Sequence, residues 1–287
     1  MRIFLAGGTG VLGRRIVPGL IRAGHQVTVL SRAADRADAV AALGATIAIG
    51  DALDAAAVEQ AVTAAKPDLV MHQLTDLSGG SSQANAALRI NGTANLVAAA
   101  QEAGVSRFVL QSIAWAYEPG DSPADEDTPL DTISADEARR MTVDAVIAME
   151  QQAQQLSGTV VLRNGMLYGP DTWYAADGAM AAAARAQKLP ADRDVTSFVY
   201  VDDAARAAVQ AVDWPAGIVN IVDNDPAPGS EWLPVFADAV GAPAPAPAGG
   251  PRHPWARGAD NRRSQSLGWT PTLGTWRVGM RDVLGSA

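Results

Sequence analysis

The sequence predicts a doubly wound α/β fold: a parallel sheet with helices on both faces and a smaller C-terminal lobe. Three observations predict it. Strand and helix signals alternate densely through the first two thirds of the chain. A glycine-rich turn, Gly7-Gly8-Thr9-Gly10-Val11-Leu12-Gly13, joins the first strand to the first helix. After residue 165 the alternation loosens into short strands, Ala-rich helices and a Pro/Ala/Gly stretch over 241–251.

Each element has a local reason. Residues 2–6 are an apolar run ending in glycines, which reads as a buried strand. Residues 11–23 carry Val11, Leu12, Ile16, Leu20 and Ile21 at helical spacing, stopped by Gly24. Strands follow over 27–30, 46–49, 69–71, 107–110 and 159–162. Helices alternate with them over 34–43, 54–65, 83–103 and 136–156, several ending at a glycine. Beyond residue 165 the readings are a helix over 176–187, a strand over 197–201, a helix over 202–212, a strand over 217–222 and a helix over 230–240.

Composition narrows the function. The chain has 287 residues, 48% of them apolar and 18% charged, ordinary for a globular protein. Lys plus Arg is 22 against 31 Asp plus Glu, a net charge of −9, which disfavours nucleic acid and anionic membranes as partners. There is no cysteine, so disulfides, thiolate metal sites and Cys nucleophiles are excluded. The three histidines, His25, His72 and His253, are scattered, so no metal site is expected. No Gly-x-Ser-x-Gly elbow and no Gly-Lys-Ser/Thr phosphate loop is present. No apolar run is long enough to span a bilayer, and Gly7-Gly8 interrupts the first one too early for a signal peptide, so a cytoplasmic location is expected.

The glycine turn carries the sharpest chemistry. Gly7 ends the strand in a tight turn, Gly10 lets a diphosphate approach the backbone, and Gly13 lets the helix pack close to the sheet. Val11 and Leu12 supply N–H groups at the helix start. A dinucleotide cofactor is therefore expected. At the end of the second strand the chain reads Ser31-Arg32, with no acid to accept a bond from a ribose 2′-hydroxyl, and Arg14 and Arg36 add positive charge. This favours NADP, with NAD as the alternative.

Several stretches resemble the extended short-chain dehydrogenase/reductases, the NAD-dependent epimerase/dehydratase family. Besides the glycines, these are Gly50-Asp51-Ala52-Leu53-Asp54, Asp68 to His72, Asn91-Gly92-Thr93 (resembling Asn-Val-x-Gly-Thr), Tyr168-Gly169-Pro170, Phe198 to Asp203, and Leu267-Gly268-Trp269-Thr270-Pro271. The resemblance implies a Rossmann domain over 1–165 and 196–225 and a substrate lobe over 166–195 and 226–287. It implies Asp51 and Ala52 beside adenine, Gln73 and Leu74 beside ribose, a small-molecule substrate, and a homodimer through helices 83–103 and 136–156 as an option.

The same family uses a Ser or Thr after the fifth strand and a Tyr-x-x-x-Lys on the next helix. Here those two helix positions are Thr142 and Val146, with no Tyr between 118 and 167 and no Lys between 67 and 187. A non-standard proton donor is therefore expected. The candidates are Ser112 as the polarising hydroxyl, Tyr117 as a replacement phenol, and His72 at the end of the fourth strand. The acidic loop Asp121, Asp125, Glu126, Asp127 reads as solvated. Trp115, Tyr168, Trp173 and Tyr174 are expected to line a substrate pocket, whereas Trp232, Trp255, Trp269 and Trp276 read as core. The expected activity is an NADP-dependent reductase of a carbonyl, imine or activated alkene. The alternatives are a non-redox lyase, cyclase or isomerase, or a non-catalytic nucleotide sensor.

Overall fold

The computed structural model describes residues 1–76 and 81–285, with backbone alone at 34–36. The first stretch runs β1 (Arg2–Ala6), α1 (Gly13–Arg22), β2 (Gln26–Ser31), α2 (Ala34–Ala41), β3 (Thr46–Ile49), α3 (Ala55–Ala65), β4 (Leu69–His72), α4 (Ser82–Ala87), α5 (Thr93–Glu102), β5 (Arg107–Ile113), α6 (Glu137–Ala153) and β6 (Gly158–Asn164). It continues with β7 (Met166–Tyr168), α7 (Ala179–Arg185), β8 (Val195–Thr196), β9 (Phe198–Tyr200), α8 (Val201–Gln210), β10 (Gly217–Ile221), β11 (Ala227–Pro228), α9 (Gly229–Ala239), α10 (Arg262–Ser266) and α11 (Trp276–Leu284).

Seven strands form one sheet in the order β10-β6-β5-β4-β1-β2-β3. The pairs β1–β2, β1–β4, β2–β3 and β4–β5 are parallel, so the C-terminal ends of β1, β2 and β4 share one edge. Their apolar runs are buried on both faces, as a helix-covered parallel sheet requires. Asp54, Ser81 and Asp136 cap α3, α4 and α6 by accepting backbone N–H bonds, which fixes where those helices begin.

The chain divides into two units. The first comprises residues 1–112, 132–162 and 205–218, and the second 113–131, 163–204 and 219–287. Residues 113–131, which sequence reasoning groups with the first domain, cluster with the second because their backbone bonds run there: Gly120 N–H to Pro254 O and Ala124 N–H to Gly258 O, both at 3.0 Å. The first unit is built around Phe4, Val70, Leu96, Phe108 and Val161. The second has an aromatic core of Tyr168, Tyr174, Phe198, Trp232, Phe236 and Trp276. Helix α11 was not anticipated. Its Gly279 breaks the helical signal, yet only glycine fits, since a Cβ there would collide with the Tyr168 hydroxyl.

The expected helix over 83–103 is present but not uniform. Between α4 and α5, residues Leu88–Gly92 form a π-helical turn. Such turns are rare and concentrate at functional sites.

Candidate active site

In the first unit the glycine turn has the geometry its spacing implies. Gly7 sits at φ +95°, and a Cβ there would lie 2.6 Å from the Gln73 carbonyl carbon. A Cβ on Gly13 would strike Gly7 O and the Gly8 backbone. Above Gly10 the nearest atom is Gly7 O at 3.4 Å, so that side of the turn is open. Helix α1 begins with no side-chain cap and no acidic residue in its first turn. Its N–H groups and positive dipole end are thus left for an anion. Buried Leu12 anchors the turn from below while half-buried Val11 faces outward. The residues present fit a dinucleotide's diphosphate.

On the β2–β3 side, Ser31 is buried and its hydroxyl donates to Ala33 O at 2.8 Å. Arg32 is exposed beside it. The side chain of Arg36 lies outside the described residues. Asp51 accepts the Leu53 N–H at 2.9 Å, shaping the loop after β3, and Ala52 O accepts from Asn95 Nδ2 at 2.9 Å.

On the β4–β5 side the candidate proton donors are already engaged. His72 is completely buried. The Leu74 N–H donates to its Nδ1 at 3.1 Å, so Nε2 carries the hydrogen and donates to Thr93 Oγ1 at 3.0 Å. Burial, reinforced by the nearby Arg89 charge, holds its pKa down at about 4. It is a neutral strut joining β4 to α5, not a proton source. Gln73 is buried too, and among the described residues its Nε2 meets no partner. Ser112 donates its hydroxyl hydrogen to buried Glu150 at 2.5 Å. On α6, Thr142 turns its hydroxyl back to Ala138 O at 3.1 Å and Val146 is fully buried.

The second unit holds the third candidate. Tyr117 is 1% exposed, and its hydroxyl donates to Asn220 Oδ1 at 2.6 Å. Burial raises this phenol to about 12 even with the Arg163 guanidinium 4.8 Å from its ring centre. A phenol so placed stays protonated near neutral pH, with its hydrogen already given to Asn220. Glu126, expected in a solvated loop, is instead buried and accepts the Asn220 N–H at 2.8 Å.

A cavity of about 410 Å³ lies in this unit, within the range of roughly 300–1,000 Å³ usual for small-molecule sites. Its aromatic wall is Trp115, Tyr117, Tyr174, Trp232 and Trp255, and its charged residues are Asp192, Asp194 and Arg257. Trp115 and Tyr174, expected in a substrate pocket, both line this cavity. Tyr168 and Trp173 are not in the wall: Tyr168 is packed on Phe198 and Tyr200, and Trp173 is half exposed. Trp232, read as core, packs there and also lines the cavity, whereas Trp255, read as core too, is a lining residue. Trp232 lies one helical turn before core Phe236, a spacing that announces packing and conceals a second role.

Comparison with known proteins agrees with this geometry. Residues 3–222 match the family described as NAD dependent epimerase/dehydratase family, and the chain belongs to it. It is therefore an NAD(P)-dependent enzyme of the short-chain dehydrogenase/reductase type with an oxidoreductase function. It is 42% identical to a 3-diazoavenalumate denitrifying reductase of a Streptomyces species, across 98% of this chain and 99% of that one. It is 29% identical to a 2-alkyl-3-oxoalkanoate reductase of Stenotrophomonas maltophilia, over 85% of this chain and 77% of the other. Among solved structures it resembles UDP-glucose 4-epimerase of Thermus thermophilus in complex with NAD, at TM-score 0.77 and 25% identity over 100% of this chain and 98% of that one. WbmG of Bordetella bronchiseptica, in complex with NAD and UDP, shares the fold at TM-score 0.79 and 22% identity, over 99% and 94% of the two chains. Among the described residues no helix is long and apolar enough to cross a membrane, and no cluster of three His, Asp or Glu is placed to hold a metal ion.

Proposed function

We propose that this enzyme uses NADPH to reduce a small aromatic electrophile whose reduction needs no protein acid, namely an arenediazonium or the equivalent diazoquinone. One observation carries the reading: Ser112, Tyr117 and His72 are each committed to a buried partner, and α6 offers only Thr142 and Val146 in place of a phenol and an ammonium. Ketone reduction without a proton donor would be slow. A cofactor held by the residues of the glycine turn supplies hydride, and the net reaction ArN₂⁺ + NADPH → ArH + N₂ + NADP⁺ balances with no proton consumed, the C–N electron pair leaving with dinitrogen. The denitrifying name of the 42% identical relative supports the same substrate class.

The cavity's chemistry suits such a substrate. Five indole or phenol side chains favour a flat cationic ring, and the Asp192 and Asp194 carboxylates add attraction for positive charge. Arg257, the one cation in the wall among the described residues, is turned to backbone oxygens, with Nε donating to Ser122 O at 2.5 Å.

The test is turnover of 2-diazophenol with NADPH, followed at 340 nm beside an enzyme-free control. Deuterium from 4-deuterated NADPH should appear on the carbon that bore nitrogen, and Tyr117→Phe should keep the rate within about threefold. Consumption no faster than the control would sink the proposal, as would turnover of a ketone that collapses in Tyr117→Phe.

For cofactor choice, exposed Arg32 at the end of β2 supports a 2′-phosphate on the cofactor. Arg32→Ala should raise the Kd for NADPH by about 10- to 100-fold and leave NADH nearly unchanged, the loss of one charge-assisted contact. Equal effects on both nucleotides, read by fluorescence titration, would count against NADP as the cofactor.

A further inference from the structure

One histidine that the chemistry above leaves unused stands at the rim of the second unit's cavity. Asp194 is a wall residue, and both its oxygens go to His253: Oδ1 accepts the backbone N–H and Oδ2 the ring Nδ1, each at 2.8 Å. A carboxylate only accepts, so Nδ1 carries a hydrogen. The same ring lies over Trp255, a second wall residue, with centroids 5.8 Å apart and planes 30° apart. Its other nitrogen, Nε2, meets no partner among the described residues, and the side chain is 67% exposed.

The backbone beneath this ring is tied down. Asp192 Oδ1 accepts the Asp194 N–H at 3.1 Å, and the Val195 N–H donates to Ala256 O at 3.1 Å. Arg252 donates to Pro254 O and Ala256 O at 3.1 Å and to Gly120 O at 2.8 Å, and Arg257 to Ser122 O. Both guanidinium groups are thus directed at main-chain oxygens, and imidazole Nε2 is directed at none. An aspartate at Nδ1 fixes the ring and balances its charge when both nitrogens carry hydrogen, and Nε2–H is then a donor. The diazoquinone form of the substrate presents the matching acceptor. Hydride adds at the carbon bearing nitrogen, the C–N electron pair leaves with dinitrogen, and negative charge is left on the exocyclic oxygen. Reduction at carbon needs no acid, but the oxygen ends as a phenol: O=Ar=N₂ + NADPH + H⁺ → HO–ArH + N₂ + NADP⁺.

We propose that His253 is the catalytic residue for that oxygen: Nε2–H hydrogen-bonds the exocyclic oxygen of a diazoquinone and passes its proton there as dinitrogen leaves. Solvent returns the proton to Nε2, which the exposure of the ring allows. Asp194 and Trp255 are positioning residues that hold the imidazole. The inference rests on the reading of this enzyme as a reductase of diazo arenes, and goes beyond it in naming the substrate group recognised and the side chain that recognises it. An arene with oxygen beside the diazo group is therefore preferred over an arenediazonium without one.

The experiment measures kcat/KM with NADPH for 2-diazophenol and for 2-methylbenzenediazonium, which has no oxygen, each against an enzyme-free control. Wild type is compared with His253→Phe, which keeps a ring over Trp255 but has no donor, and with His253→Gln, which keeps an amide donor. In His253→Phe the ratio of the two values should move about 10- to 100-fold against 2-diazophenol, the worth of one hydrogen bond to a charged oxygen. His253→Gln should recover part of that ratio. A ratio unchanged in His253→Phe overturns the proposal, whether both rates fall together, as for a structural residue, or neither does. Wild type that turns over neither compound sinks the underlying reductase reading and this assignment with it, a result distinct from any behaviour of the variants.

Discussion

Replacing Gly10 with valine should leave the ligand-free protein as stable as wild type and raise the Kd for NADPH by at least about 100-fold, because the added atoms fill the space a diphosphate needs. The geometry allows this separation. Gly10 is not among the glycines with positive φ, and its added Cβ meets only Gly7 O, at 3.4 Å. Gly13 makes the contrast. Its Cβ would drive into Gly7 O and the Gly8 backbone, which cannot yield as a side chain can. Gly13→Ala should therefore destabilise by about 3 kcal/mol or fail to fold, the cost of overpacking against main chain. Circular dichroism melts and nucleotide titration of the two variants check both halves. A Gly10→Val protein that still binds NADPH tightly would mean the diphosphate does not lie over this turn.

Acid should weaken the protein through one residue more than any other. His72 is neutral in the folded chain with a pKa near 4, against 6.5 for an unburied imidazole. Between those values the unfolded chain binds a proton that the folded chain refuses, so stability rises with pH. The contribution is complete above about pH 6.5 and is lost progressively as pH falls toward 4, a total of roughly 3 kcal/mol. Asp223 acts in the opposite sense, since burial lifts its carboxyl to about 7. The quantity to measure is therefore the difference in urea unfolding between wild type and His72→Gln at pH 7.5 and pH 4.5. Wild type's advantage should shrink by about 2–3 kcal/mol over that interval. A difference independent of pH would show that the imidazole is not held neutral.

Much of the first unit is legible in sequence because its signals are local. The strand at 2–6, the three glycines and the helix stopped by Gly24 each follow from neighbouring residues, and the parallel sheet follows from their alternation. The site is less legible because it depends on partners distant in sequence. Ser112 meets Glu150, 38 residues on, and Tyr117 meets Asn220, 103 residues on. Neither spacing has a periodic signature, so a serine and a tyrosine that look available in sequence are in fact engaged. Glu126 misleads for the same reason: three neighbouring acids suggest solvent, yet its carboxylate is taken up by the Asn220 N–H.

The π-helical turn at Leu88–Gly92 has a consequence for how such a site changes over time. It amounts to one surplus residue in a rod that is otherwise α-helical on both flanks. Deleting that surplus would swing everything upstream by about 100° about the axis, taking Asn85 away from the Asp76 N–H it now accepts. Which side chain faces the end of β4 is therefore governed by segment length as much as by residue identity. A single-codon insertion or deletion here can change what faces the end of β4 more drastically than a substitution.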